Sequence, residues 1–304
     1  MLFRSPNTVT SIGNYAFYGC TSLSELNIGE GVTTIGEYAF WNCPNLATVH
    51  FNATNCTQMY TKINTNYNSV FNIGTSNDGA TPIVTLTIGD YVTRIPDYAF
   101  RNSTNMSIIT IPNSTTSIGQ YSFAGCSSIT SISSWPITPP EAQSNSFNGI
   151  NTSITVYVAP GSSNTYKNAQ GWNRFSNFEV LKGSFICSTG QTLYYKYIDS
   201  DNISITYPGS SSSDPWPTST DKPAGDIIIQ DSIELHDLGS NLTKLFAVKN
   251  IDNYAFVECN NITSVTIPNT VTSIGNYAFY GCTSLSELNI GEGVTTIGDR
   301  KSVV

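Results

Sequence analysis

Short stretches of alternating apolar and polar residues recur along the chain, and each is followed by a turn. In "ELNI" (25–28), Leu26 and Ile28 alternate with polar residues, which predicts a β-strand with one buried face. A glycine ends this strand, and "VTTIG" predicts a second extended segment. The following "EYAFWNC" places Phe40 and Cys43 three residues apart, the spacing of one side of a helical turn.

This pattern returns at an almost constant interval. The phenylalanine of the "YAF" motif recurs 23 residues later in three pairs: Phe17 and Phe40, Phe100 and Phe123, Phe256 and Phe279. A fixed period of this length is typical of a solenoid. Because one unit cannot bury its apolar face alone, we expect the units to stack and to form columns of leucine and phenylalanine.

The cysteines follow the same period. Five of the seven lie three residues after the motif phenylalanine: Cys20, Cys43, Cys126, Cys259 and Cys282. We interpret them as small apolar groups that fill one column of the core. The alternative is a metal or redox ladder, but such sites use close pairs such as C-x-x-C, and none occurs in the sequence.

The units resemble the BspA-type leucine-rich repeat family, also called Treponema pallidum-like repeats. The resemblance rests on motifs such as "TSIGNYAFYGCTSLSEL" and covers about 6–181 and 247–298. It implies a leucine-rich repeat solenoid, a β-rich α/β fold with short strands and helical turns in each 23-residue unit, arranged as two arrays in tandem. It also implies a non-catalytic protein that is secreted or held at the cell surface.

The chain is predicted to divide into three parts. Residues 6–181 form the first leucine-rich repeat array, interrupted by an insertion at 52–82. Residues 182–246 form a β-rich lead-in module with a Ser/Pro-rich loop at 210–225, and 247–298 form the truncated start of a second array.

The first array is expected to end in a cap. The segment after strand "ITVYV" carries aromatic and small residues at a helical spacing, Tyr166, Ala169, Trp172 and Phe175. In the family that this chain resembles, such a segment ends the array. Its aromatic side chains can cover core residues that the last unit would otherwise expose.

Two features of the sequence concern its history. Residues 6–36 and 268–298 are identical, which indicates recent duplication or misassembly of a repetitive gene and not a doubled active site. Residues 1–5 and 299–304 resemble translated sequencing adapters, so we expect a metagenomic fragment and leave both ends out of the predicted fold.

Composition narrows the possible partners. The formal net charge is −8, which argues against nucleic acid, whose phosphates need clusters of Lys and Arg. Charged residues make up 11%, well below the usual quarter, so we expect a surface rich in hydroxyl and amide groups. No apolar run approaches eighteen residues, which predicts no membrane span in this fragment; the signal and anchor of a surface protein would lie outside it.

The sequence offers little catalytic chemistry. Of the two histidines, His50 falls at an outward strand position, and neither is accompanied by a G-x-S-x-G motif. The glycines of "GEGVTTIG" do not have the spacing of a phosphate-binding loop, and "DSDN" lacks the glycine and glutamate of a calcium loop. We therefore predict no catalytic residue, no metal and no cofactor.

The outward strand positions are the candidate binding residues. One row comprises Asn27, His50, Thr87 and Thr110, and the neighbouring row comprises Glu25, Thr48, Thr85 and Ile108. A solenoid presents such rows on an extended sheet face. The alternative is that they are ordinary solvated positions.

Three functions follow from these observations. The first is adhesion or binding, through the sheet face, to a protein or glycan of a host or neighbouring cell. The second is a structural spacer or stalk that carries a domain missing from this fragment. The third is a glycoside hydrolase with two carboxylates, for which no motif is present.

Overall fold

The computed structural model describes residues 1–63, 66–71, 82–199, 201–209, 215–216, 222–236 and 243–298. The chain folds into two compact units, one of residues 1–179 and one of the described residues from 180 onward. Both are built almost entirely from short β-strands, as the repeat pattern predicts.

In the first unit, a four-residue strand in most repeats is followed by a two-residue strand. The elements are β1 (Leu2–Arg4), β2 (Ser11–Ile12), β3 (Glu25–Ile28), β4 (Thr34–Ile35), β5 (Thr48–Phe51), β6 (Gln58–Ile63), β7 (Asn66–Ser69), β8 (Thr85–Ile88), β9 (Arg94–Ile95), β10 (Ile108–Ile111), β11 (Ser117–Ile118), β12 (Ser131–Ser134), β13 (Glu141–Ala142), β14 (Thr155–Val158), α1 (Ser163–Asn168) and β15 (Asn177–Val180).

Equivalent strands of successive repeats pair side by side. The long strands form the sheets β1-β3-β5-β8 and β10-β12-β14-β15, and the short strands form β2-β4-β6-β7 and β13-β11-β9. Leu26 of β3 lies opposite Val49 of β5, which lies opposite Leu86 of β8, in parallel register. The inward residues of both kinds of strand share one core, which confirms the predicted leucine-rich repeat solenoid.

The motif phenylalanines stack as a column. The rings of Phe100 and Phe123 are 5.7 Å apart, and those of Phe123 and Phe147 are 5.9 Å apart, both in stacked geometry. Between Phe40 and Phe100 the column is completed by Phe71, at 5.6 Å and 6.2 Å. Phe71 belongs to the predicted insertion, so this segment is an enlarged repeat that supplies its own core ring.

The described part of the enlarged repeat also contains a pair of antiparallel strands. Strand β6 pairs in parallel with β4 of the preceding repeat and antiparallel with β7. The predicted insertion therefore adds a strand pair to the short-strand side without interrupting the long-strand sheet, in which β5 pairs directly with β8. Residues 72–81 of the predicted insertion lie outside the described residues.

The "YAF" segment differs from the predicted helical turn. It is a series of separate turns, in which the amide of Tyr18 donates to the Tyr15 carbonyl at 3.1 Å and that of Cys20 donates to the Phe17 carbonyl at 3.2 Å. The motif tyrosines adopt left-handed backbone conformations, with φ of 59° at Tyr15 and 58° at Tyr38, which a regular helix excludes. Their rings stack at 4.9 Å, so the conformation aligns tyrosines of neighbouring repeats.

Residues 2–4, which the sequence analysis left out of the fold, form a strand. Strand β1 pairs in parallel with β3, with Phe3 opposite Leu26. The Phe3 ring lies 4.3 Å from that of Phe17 and packs against the core. The alternation of side chains along residues 2–4 is compatible with one more strand of the array. Residues 299–304 lie outside the described residues.

The aromatic segment after β14 covers the core as expected, although little of it is helical. Helix α1 includes Tyr166 and ends at Asn168, because Ala169 is extended. Tyr166 and Trp172 are fully buried, and the Trp172 indole N–H donates to the Pro140 carbonyl at 2.9 Å. The residues that face the core are therefore those predicted, but most of them lie in turns and not in a helix.

The second unit opens with antiparallel strands and continues with parallel ones. Its strands are β16 (Lys182–Ile186), β17 (Thr192–Tyr197), β18 (Asn202–Thr206), β19 (Gly225–Ile228), β20 (Ser232–His236), β21 (Thr243–Ile251), β22 (Ile262–Ile267), β23 (Ser273–Ile274), β24 (Glu287–Ile290) and β25 (Thr296–Ile297). Strands β17 and β18 pair antiparallel as a hairpin, with Tyr195 opposite Ile205. Parallel strands form β21-β23-β25 and β19-β22-β24. Most of the Ser/Pro-rich loop at 210–225 lies outside the described residues.

Candidate functional site

The candidate site is the outward face of the long-strand sheet in the first unit. Its side chains point outward because their neighbours along each strand, such as Leu26 and Ile28, are fully buried. The parallel register places six of the eight predicted residues in two rows. They are Glu25, Thr48 and Thr85 in one row, and Asn27, His50 and Thr87 in the other.

The other two predicted residues lie in the next sheet. Thr110 is on β10, which heads the sheet β10-β12-β14-β15. Its cross-strand neighbour is Ser133, which in turn lies opposite Tyr157. Ile108 lies on the same strand and is 55% exposed. The rows therefore continue on a second sheet, where Tyr157 adds a large side chain. Tyr157 was not among the residues predicted from the sequence, although the alternation in "ITVYV" indicates that it points outward.

Two contacts join neighbouring residues of the first sheet. His50 Nε2 lies 3.5 Å from Glu25 Oε1. The side-chain amide of Asn52 donates a hydrogen bond to Asn27 Oδ1 at 2.9 Å. The side chains of His50 and Glu25 are 33% and 39% exposed, so both are half-buried and solvent weakens their contact. Thr85 and Thr87 are exposed.

On the second sheet, the surroundings of Tyr157 shift the pKa of its hydroxyl group. Burial raises the pKa of the Tyr157 hydroxyl, and the nearby Glu179 carboxylate raises it further. The phenol therefore stays protonated and can donate or accept a hydrogen bond at neutral pH. Thr110, Ser133 and Tyr157 thus give this face a row of hydroxyl groups.

The second unit carries a comparable row on its long strands. Asp226 of β19 lies beside Ser264 of β22, which lies beside Glu287 of β24. The Ser264 and Thr263 hydroxyls donate to Asp226 Oδ1 at 2.6 Å and 2.8 Å. These bonds hold the pKa of the Asp226 carboxyl below its usual value, so this row keeps a negative charge.

Many hydroxyl and amide groups elsewhere on the surface serve the stacking of repeats. The Thr116 hydroxyl donates to the Thr93 carbonyl at 3.1 Å, 23 residues away. Asn14 Oδ1 accepts from the Glu37 amide at 2.9 Å, and Asn253 Oδ1 accepts from the Asn276 amide at 2.7 Å. The polar composition is thus partly structural, and the exposed threonines of the sheet face stand apart from these ladders.

The cysteines of the motif lie in the core, as interpreted, except at the first repeat. Cys43, Cys126, Cys259 and Cys282 are buried, whereas Cys20 is half-buried. Burial raises the pKa of the Cys126 thiol to about 12 and that of Cys282 to about 11. Within the described residues no three His, Cys, Asp or Glu side chains group as metal ligands.

The repeats match a known family over most of the chain. The model of the BspA type leucine rich repeat region matches six copies within residues 2–81, 72–203 and 247–301. The chain belongs to the BspA-type leucine-rich repeat family. This membership confirms the resemblance on which the predicted solenoid rests.

Solved structures of bacterial leucine-rich repeat proteins are similar to this family member. One from Bacteroides capillosus is 25% identical with a TM-score of 0.25, and 34% of the present chain covers 65% of that protein. A leucine rich cell surface protein from Faecalibacterium prausnitzii is 18% identical with a TM-score of 0.27, over 99% of this chain and 80% of the other. The T. pallidum leucine rich repeat protein is 15% identical with a TM-score of 0.31, over 59% and 69%. No curated protein matches the chain.

Two further observations complete the description of this BspA-type chain. In the residues that the structure describes, no helix has the length and apolar character needed to cross a bilayer. The binding residues predicted from the sequence all lie on the long strands. Outward residues of the short strands, such as Arg94 and Glu141, were not among them, although they recur with the same period.

Proposed function

We propose that this BspA-type protein is a non-catalytic binding or adhesion module that engages its partner through the long-strand sheet face. The observation that carries the proposal is the in-register pair of outward rows. They contain Asn27, His50, Thr87, Glu25, Thr48 and Thr85, and Thr110 continues them on the next sheet. These rows form an extended surface of small polar side chains above a filled core.

The chemistry of this face favours many weak contacts. Hydroxyl and amide groups form hydrogen bonds that each contribute about 0.5–1.5 kcal/mol net. The two rows lack Trp and Arg, which dominate tight protein interfaces. We therefore expect weak binding by one copy and useful avidity only when many copies are displayed together.

The expected partner is a protein or glycan of a host or neighbouring cell. Display of many copies requires a secreted or surface-held protein, and family membership supports that location. Among the similar solved structures, one is described as a cell surface protein. The net charge of −8 disfavours nucleic acid as the partner.

The experiment is a pull-down and binding titration with host proteins and glycan-coated beads. The double variant Asn27→Arg, Thr87→Arg places bulk and charge on one row and spares the core. We expect it to weaken binding at least about tenfold, because long charged side chains would clash with a partner fitted to small groups. The matched control is Thr8→Arg, Gln170→Arg, which adds the same charge at exposed positions outside the long strands.

A structural spacer is the second candidate. The contacts of His50 with Glu25 and of Asn27 with Asn52 favour it, because side chains that pair with each other need no partner. Binding that the double Arg variant leaves unchanged would exclude the rows as the site. Absence of any captured protein or glycan by the parent chain would favour the spacer.

A further inference from the structure

The short-strand side of the first unit contains a polar groove that the proposed binding face does not include. Arg94 of β9, Ser117 of β11 and Glu141 of β13 lie side by side in parallel register. Together with the turns that follow these strands, they line a hollow of about 340 Å³. The hollow lies among repeats that have neighbours on both sides, so it is not an open end of the array.

One wall of the groove is ordered by a carboxylate, Asp97, at a position where several other repeats have an asparagine. Asp97 occupies the position of Asn14 and Asn253, and it accepts the same bond from the next repeat, here from the Gln120 amide at 3.1 Å. Its second oxygen accepts from Gln120 Nε2 at 3.1 Å, and Arg94 Nη2 lies 3.6 Å from Oδ1. The carboxylate thus fixes an amide and a guanidinium along the wall.

The Arg94 side chain in this wall has one N–H group without a hydrogen-bond acceptor among the described residues. Arg94 Nε is buried and makes no hydrogen bond in the described structure. A buried N–H without an acceptor is costly, so rotation of the partly exposed Arg94 side chain toward an acceptor in the groove would relieve that cost.

The opposite wall presents polar side chains that are available to a ligand. Glu141 and Gln143 are exposed, and their side chains make no hydrogen bond or ion pair among the described residues. Beyond Glu141 lies a second hollow of about 520 Å³, lined by residues that include Asn113, Thr115 and Ile137. Ile137 is 55% exposed, so the groove continues from a polar end to a partly apolar end.

These groups define a class of ligand. The groove holds one cation and two carboxylates, so its net negative charge disfavours anions. The groove offers both hydrogen-bond acceptors, from carboxylate and amide groups, and donors, from amide and guanidinium groups. This mixture suits a ligand with adjacent hydroxyl groups, each of which can donate and accept. The apolar end suits the C–H face of a sugar ring, and the volumes fall within the range of about 300–1,000 Å³ typical of ligand sites.

We propose that this groove binds a neutral saccharide, contacted mainly by Glu141 and Gln143, with the Arg94 guanidinium as a further hydrogen-bond donor. The site is separate from the proposed adhesive face and does not depend on it. It would give the protein a saccharide-binding activity on the short-strand sheet, whatever the long-strand sheet engages.

The test is titration calorimetry of the full chain with cellotriose, mannotriose, maltotriose and galactotriose, which differ in the orientation of their hydroxyl groups. At least one should bind the parent chain. Glu141→Gln should weaken that binding about tenfold or more, because hydrogen bonds to a charged carboxylate are stronger than those to a neutral amide. Gln143→Ala should also weaken it. Glu30→Gln removes the same charge from an exposed residue outside the groove and should bind like the parent.

Three outcomes would overturn the proposal. They are no binding of any of the four trisaccharides, equal binding by the parent, Glu141→Gln and Gln143→Ala, or Glu141-dependent binding of a tri-lysine peptide in place of a sugar. Saccharide binding should persist in Asn27→Arg, Thr87→Arg, so failure of the adhesive face and failure of the groove are distinguishable. Circular dichroism of each variant checks that the fold is retained.

Discussion

Phe123 illustrates how one residue of the motif stabilises the array. Its side chain is fully buried and stacks on Phe100 on one side and Phe147 on the other. Each ring therefore contributes to the core of its own repeat and to the contact with the two adjacent repeats. Deletion of one ring leaves a cavity that neighbours held by their own strands cannot readily fill.

Phe123→Ala should accordingly lower the free energy of unfolding by roughly 3–5 kcal/mol, from lost burial and the cavity. Urea denaturation of the parent and the variant measures the difference. Tyr91→Ala is the control, because Tyr91 is 60% exposed, and it should change stability by no more than about 0.5 kcal/mol. A similarly small change for Phe123→Ala would refute the column of rings.

The thiols next to these rings should react slowly in the native state. The thiolate is the reactive form, and burial raises the pKa of Cys126 to about 12 and of Cys282 to about 11. At pH 8 the folded protein therefore holds less thiolate at these sites than a free cysteine does, and the thiolate fraction increases only as the pH approaches the raised pKa values.

Labelling with a thiol reagent, followed by mass spectrometry, checks this prediction. At pH 8 without denaturant, half-buried Cys20 should be modified before Cys43 and Cys126. After denaturation all should react at similar rates, which serves as the control for reagent access. Rapid native labelling of Cys43 and Cys126 would contradict their place in the core.

At the scale of the repeat element, the spacing between units depends on glycine. An added Cβ on Gly36 would lie 2.5 Å from the backbone nitrogen of Asn14 in the preceding repeat. Asn14 in turn accepts a hydrogen bond from the Glu37 amide, so this turn joins the two repeats by close backbone contact. The same motif glycine in the first repeat, Gly13, has no atom within 4 Å of the added Cβ.

Gly36→Ala should therefore destabilise the protein by about 1–3 kcal/mol, the range of overpacked positions. Gly13→Ala, with the same sequence context, should be neutral or stabilising by up to about 1 kcal/mol, because it restricts the unfolded chain. Chemical denaturation compares the two. Equal effects of the two substitutions would show that the repeats do not touch at this turn.

Some elements could be predicted from the sequence and others could not. Strand β3 and hairpin β17–β18 follow from alternation, because a strand with one buried face must alternate. The left-handed tyrosines did not, because the spacing of "YAF" is equally compatible with a helical turn. Phe71 also escaped prediction, because its place in the column depends on the path of the β6–β7 hairpin and not on a fixed interval.

At the scale of the whole chain, the Ser/Pro-rich segment within the second unit invites a proteolysis experiment. The segment 210–225 contains four consecutive serines and three prolines, a composition that does not favour regular structure. Residues 83–126 are repeats with buried cores. Limited proteolysis should therefore cut first within 210–225, with mass spectrometry to locate the cut. A first cut within 83–126 would contradict the prediction.

The 31 identical residues at 6–36 and 268–298 separate what the sequence determines from what packing decides. Both copies form the same strands, since β3 and β24 each comprise four residues and β4 and β25 two. Local alternation and turn glycines are enough to specify these elements. The sequence also determined the period, the family and the inward residues of each repeat.

Burial, in contrast, depends on neighbours. Ile28 is fully buried because β3 lies between β1 and β5, whereas its identical counterpart Ile290, on the last strand of β19-β22-β24, is 39% exposed. The same holds for Ile35 and Ile297, which are 0% and 48% exposed. The sequence of a repeat determines which of its side chains are apolar and face inward, but these side chains are buried only where an adjacent repeat packs against them. The rows of the sheet face and the groove beside Glu141 likewise exist only because separate repeats, each unremarkable in sequence, are stacked in register.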